Sequence, residues 1–173
     1  MQDIQLSPHF KLNEFTKSRT ARENGIDNTP PPEAVENLRA LCVHTLEPLR
    51  EALGLPIIIT SGYRCKVLNE RITHHSDSSQ HMSGCAADFY VGQSTVSGFK
   101  FQVSGLSHRE LLIKAFKTII LNERIEFDQL IIYPDFIHVS YVREGRKNRH
   151  KLTKAYGRGS YRALTRDEAL ALV

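Results

Sequence analysis

Apolar residues recur along this chain with two periods, and each period predicts a type of element. Steps of three and four put Val35, Leu38, Leu41, Cys42, Leu46, Leu49 and Leu53 on one stripe, which predicts a core-facing helix over 32–53 ended by Gly54. The same period over 107–121 gathers Leu111, Leu112, Ala115, Phe116, Ile119 and Ile120, with Ser107 and Glu110 spaced as a capping box. Leu6, Phe10, Leu12 and Phe15 form an opening arm with a short helix beginning near Leu12 or Asn13. Asn24-Gly25 and the prolines at 30, 31 and 32 keep 22–31 irregular until a proline is accepted in the first turn of the long helix, with Thr29 or a nearby proline marking its start.

Runs of β-branched and aromatic residues predict strands. Ile57, Ile58, Ile59 and Thr60 make a buried strand entering a Ser61-Gly62 turn, and 86–91 makes a second. Two more are expected over 127–133 and 136–142, separated by Pro134-Asp135. Between them lie a short helix over 65–72 and a polar loop over 73–80. The insert 92–106, with Phe99, Phe101 and Val103 between Gly98 and Gly105, predicts a hairpin arm. A last helix is expected from Thr165. The sum is an α+β fold, a small mainly antiparallel sheet with the helices from Pro32 and Ser107 on one side and a cleft at the other.

The chain has 173 residues, 40% of them hydrophobic, which predicts one domain over 1–173 and excludes disordered and low-complexity classes. No apolar run approaches the roughly 20 residues of a bilayer span, and the N-terminus has no export signal, so no membrane association is expected and the chain as encoded is cytoplasmic. Cys42, Cys65 and Cys85 are odd in number and lack metal-knuckle spacing, which fits a reducing compartment. The net charge of +4 is uneven: residues 1–142 hold 14 basic against 16 acidic side chains, and 143–173 hold 9 against 3. A basic tail therefore begins at about 143; it could meet an anionic polymer or be a solvated strand and helix, and it does not carry a nucleic-acid function.

The chemistry concentrates in SSQHMSGCAADFYV. A loop histidine, His81, turns at Gly84 into a strand that carries Asp88 among bulky apolar neighbours, where an unpaired carboxylate would be costly to bury. His138 sits in FIHVSY, on the strand face shared with Phe136 and Ser140. Two histidines and one carboxylate are the ligand set of a catalytic zinc, with a fourth position left for water. Taken singly, each residue is more simply a packed histidine or a capping aspartate; together they are not.

Ser79-Gln80-His81-Met82-Ser83-Gly84-Cys85-Ala86-Ala87-Asp88 resembles the S-x-H-x-x-G-x-A-x-D pattern of the zinc D-Ala-D-Ala peptidases, the M15 family. Ile137-His138-Val139 looks like its second motif, and Thr60-Ser61-Gly62-Tyr63-Arg64 resembles its S-G-Y-R segment. The resemblance covers roughly 6–149 and implies a hedgehog/DD-peptidase-like fold and one Zn2+ held by His81, Asp88 and His138. It implies an arginine, Arg64, that contacts substrate, and a peptidoglycan stem peptide as that substrate. The expected activity is D-Ala-D-Ala carboxypeptidase, with endopeptidase cleavage in the same peptide as a near rival, from a monomer released to the bacterial wall.

A general base is also required. Asp135, three residues before His138 in the family's acid-x-x-His pattern, is the first choice, and Asp128 is the alternative, or else a partner that fixes the tautomer of a zinc-bound histidine. Arg64 would bind a terminal carboxylate or steady an oxyanion. Ser79 and Gln80 are expected to orient substrate or His81, and Tyr63 and Tyr141 to line the pocket. His74 and His75 read as exposed loop residues, and Cys85 as a small core residue facing away from the metal. The other reading is a non-catalytic zinc module that binds the cell wall or serves as a phage structural part.

Overall fold

The computed structural model describes residues 3–73, 75–92, 95–96, 99–100, 105–143, 145, 147–157 and 159–173. The N-terminal part contains β1 (Gln5–Ser7), β2 (Phe10–Lys11), α1 (Leu12–Thr16), α2 (Arg19–Glu23), α3 (Pro32–Leu41) and α4 (Glu47–Leu53). The middle contains β3 (Ile57–Ser61), α5 (Lys66–Glu70), β4 (Ala86–Val91), β5 (Thr95–Val96), β6 (Phe99–Lys100) and α6 (His108–Leu121). The chain ends with β7 (Gln129–Ile132), β8 (Ile137–Ser140), β9 (Lys151–Gly157), β10 (Ser160–Ala163) and α7 (Arg166–Leu170).

Six strands form one sheet in the order β10-β9-β7-β8-β4-β3, antiparallel except for the β7–β9 pair. The register sets a row across the sheet: Ser61, Asp88, His138, Ile131, Thr153 and Ala163 stand side by side. Strand alternation then sorts the faces. Phe89, Leu130, Ile137, Val139 and Leu152 point into a core shared with Leu38, Leu46 and Leu49 from the long helix and Leu112, Phe116 and Ile119 from α6. Each such buried side chain is worth about 2 kcal/mol. The opposite face carries Asp88, His138, Ile131 and Thr153. This is the expected α+β class with helices on the core side and the candidate site on the other.

The segment expected as one helix runs from α3 through a π-type turn, Cys42–Leu46, into α4. Pro48 is the cause. It has no N–H to give back to His44, and the freed His44 carbonyl accepts the Glu126 amide instead at 3.0 Å. α2 falls partly where no regular structure was expected, because the Ser18 hydroxyl caps it by accepting from Ala21 N, which is buried. The β1–β2 hairpin is too short to leave a period. Ser107 and Thr165 cap α6 and α7 as expected. β5 and β6 pair antiparallel within the expected hairpin arm, but Phe101 and Val103 lie outside the described residues. The largest departure is the basic tail, whose β9 and β10 are two full strands of the main sheet. Among the described residues no helix is long and apolar enough to cross a membrane.

Candidate metal centre

His81 lies in a single 3-10 turn, Gln80–Ser83, that ends on Gly84 with φ +73°. A side chain at Gly84 would meet the Ala34 carbonyl at 2.4 Å, so only glycine lets this turn sit against α3. The turn aims His81 at β4, where Asp88 pairs with His138 of β8. The His81 Nε2, Asp88 Oδ1 and His138 Nδ1 atoms converge: 3.3 Å from His81 to Asp88, 2.8 Å from His138 to Asp88, and 3.2 Å between the two histidines. Among the described residues this is the one group of three or more such side chains with its donor atoms gathered together.

Hydrogen bonding prepares these atoms as ligands. His81 Nδ1 lies 2.6 Å from the Gly62 carbonyl oxygen, which can only accept, so Nδ1 carries the proton and Nε2 presents a lone pair. Burial pushes the His81 pKa down against the pull of Asp88, favouring the neutral ring that binds metal. Burial opposes ionisation of Asp88, but His81 and His138 beside it outweigh that and hold its carboxyl well below the usual range. A tetrahedral zinc with bonds of about 2.0–2.1 Å sets its ligands about 3.3 Å apart, close to two of the three separations; the third is a hydrogen-bond length. The donor set fits one divalent cation of the zinc type.

The donors open into a cleft of about 970 Å³. Arg64 lines one flank: its amide donates to the His81 carbonyl, its guanidinium reaches the Ser61 and Ser79 hydroxyls at 3.4 Å each, and its buried Nε has no partner among the described residues. That is a cation with donors to spare. Asp135 stands at the rim, exposed, with its main-chain oxygen accepting from His108 Nε2 and its carboxylate without a partner among the described residues. Tyr133 stacks on Phe136 with centroids 4.2 Å apart and donates to the Tyr161 hydroxyl; burial raises its pKa, so the phenol is neutral.

Several expected roles change. Asp128 is buried, and its carboxylate accepts from the Arg149 guanidinium and amide and from Gln80 Nε2 rather than from a histidine. The tautomer-fixing partner of His81 is the Gly62 carbonyl. Burial opposes the Asp128 charge, but the Arg149 bonds outweigh it and lower the pKa. Tyr63 belongs to the core and does not line the cleft, because the segment after β3 turns its ring inward. Tyr141 is likewise buried, stacked on His44 at 4.8 Å. With Cys85, Asn37 and Arg143 it lines a separate pocket of about 670 Å³, so Cys85 does face away from the donors but is half-buried rather than core. His75 is exposed at the cleft, and His74 lies outside the described residues.

Ser79 and Gln80 do reach the cleft, Gln80 through an amide tied to Asp128 and Arg149. Sequence reading missed Arg149, Lys151, Thr153 and Tyr161, which form the far wall. The alternation of Leu152 with Lys151 and Thr153 was the available signal, masked by the density of charge around it.

No curated protein matches the chain. The model of one family, Peptidase M15, matches residues 8–120, a span that includes Arg64, His81 and Asp88. Over more than half its length, and with a His-Asp-His group standing in an open cleft, the chain belongs to the peptidase M15 family of metallopeptidases.

Proposed function

We propose that the protein is a zinc-dependent peptidase acting on bacterial cell-wall stem peptides, most directly at a D-Ala-D-Ala bond. The observation that carries this is the convergence of His81 Nε2, Asp88 Oδ1 and His138 Nδ1 at the floor of a cleft flanked by the spare donors of Arg64 and the free carboxylate of Asp135.

His81, Asp88 and His138 would hold the ion, which when bound would polarise the scissile carbonyl and acidify a water. Arg64 binds the substrate's terminal carboxylate through its Nη and Nε donors, which fixes the peptide's direction across the sheet. Asp135 takes a proton from the attacking water and gives it to the departing amine nitrogen, a role open to it because nothing else among the described residues claims its carboxylate. Asp128 is not free for that task, being held by Arg149 and Gln80.

The test is zinc content and hydrolysis of a D-Ala-D-Ala peptide by the native chain. About one zinc per chain with cleavage supports the reading. Zinc uptake without cleavage of any cell-wall peptide would leave a wall-binding module instead.

A further inference from the structure

We propose that Thr153 and Lys151 form a second carboxylate subsite on the far wall of the cleft, across the metal donors from Arg64, which selects peptides with an acidic group about three residues from the cleaved bond. The inference rests on the peptidase reading above and specifies its substrate class.

Leu152 is in the core, so strand alternation sends Lys151 and Thr153 to the cleft side, and both line the cleft. Thr153 is only 5% exposed, yet its Oγ1 has no hydrogen-bond partner among the described residues. A buried hydroxyl left unpaired is costly and rare in native proteins, and here it faces the space a substrate would enter. Lys151, two residues back on the same face, is exposed and has no acidic partner among the described residues, whereas its neighbour Arg149 is already bound to Asp128. An O–H donor and an ammonium side by side, with no carboxylate between them, suit a carboxylate ligand.

The register gives the distance. Thr153 pairs with Ile131, and Ile131 with His138, so the subsite lies two strand spacings from the donors, about 10 Å. An extended peptide advances about 3.4 Å per residue, which puts the recognised group about three residues from the reacting carbonyl. Arg64 follows β3, at the other edge of the sheet, so a peptide with its terminal carboxylate there would run across the strands towards β9.

The test compares Ac-Glu-Ala-D-Ala-D-Ala with its Gln counterpart on the zinc-loaded full chain, measuring both kcat/KM and calorimetric Kd. The native chain should prefer the Glu peptide about tenfold, the effect expected of one charged hydrogen-bonded contact. Lys151→Met and Thr153→Val should each bring the ratio down, and the double variant should bring it to about one, while Lys151→Arg and Thr153→Ser keep the preference. Thr153→Val should also raise Tm, because it removes the unpaired hydroxyl. A native ratio near one, a preference that survives both substitutions, or a Tm lowered by Thr153→Val overturns the subsite while leaving the peptidase reading in place. Preferential binding of the Glu peptide without cleavage upholds the subsite and overturns the catalytic reading; binding of neither peptide overturns both.

Discussion

The Gly62 carbonyl oxygen lies 2.6 Å from His81 Nδ1, and this contact decides which nitrogen of the imidazole faces Asp88 and His138. The geometry depends on Gly62 having no side chain, since a Cβ there would stand 2.5 Å from the Phe15 carbonyl oxygen and 2.6 Å from its Cβ. The N-terminal arm is thereby part of the ligand's support.

Gly62→Ala should therefore cost about 1–3 kcal/mol of stability by overpacking. Because the carbonyl must shift with the backbone, zinc affinity should fall by about 10–100-fold, the usual range for losing a ligand's outer partner. Thermal unfolding and competitive zinc titration check the two effects separately. Unchanged zinc affinity would show that Gly62 does not set the tautomer.

Asp135→Asn should keep about one zinc per chain and lower kcat by about 10²–10⁴-fold, as for loss of a general base. The carboxylate has no partner to lose among the described residues, and the loop is held through the Asp135 main-chain oxygen, which the substitution retains. Zinc analysis beside a hydrolysis assay separates a base from a structural residue.

The donors were legible in the sequence because each sits in a local pattern: His81 before a turn glycine, Asp88 and His138 inside apolar runs of period two. The core was legible for the same reason, as in the stripe from Val35 to Leu53. What could not be read was non-local. β9 joins the sheet by parallel pairing to β7 across an intervening β8, and its Lys-Leu-Thr-Lys sequence looks like a solvated surface. The ring direction of Tyr63 and the Arg149 partner of Asp128 are set by tertiary packing and leave no period behind. The His44 carbonyl freed by Pro48 is similar: the proline is visible, but Glu126 as the acceptor's new partner is not.

Zinc should raise Tm, since an ion that binds only the folded chain stabilises it by about 4 kcal/mol at 1,000 times its Kd. A chelator should reverse the shift. His138→Ala should abolish it, because that substitution removes one of three ligands. Scanning calorimetry with and without zinc makes the comparison, and an equal zinc shift in the variant would remove His138 from the ligand set.

The Arg149–Asp128 pair joins the tail strands to the metal loop, and its loss should be visible as a function of pH. Asp128 is 2% exposed, so Arg149→Met leaves a buried carboxylate with only Gln80 and the Arg149 backbone amide as partners. Breaking a fully buried pair costs about 3–5 kcal/mol, and the half-exposed guanidinium brings the expected cost below that range, to about 2–3 kcal/mol. The native pair lowers the Asp128 pKa below its unfolded value. Its stabilisation is thus fully present above the unfolded carboxylate range, about pH 4, and is lost as pH falls through the lower folded value. The stability gap between native and Arg149→Met chains should be largest near neutral pH, where Asp128 is ionised in both folded chains, and should narrow on acidification, because the stranded buried carboxylate of the variant takes up a proton before the native one does. Asp128→Asn combined with Arg149→Met should recover part of the loss by removing the stranded charge. Denaturant unfolding across this pH series is the measurement, and a gap that stays constant down to about pH 2 would show that the pair contributes packing rather than charge.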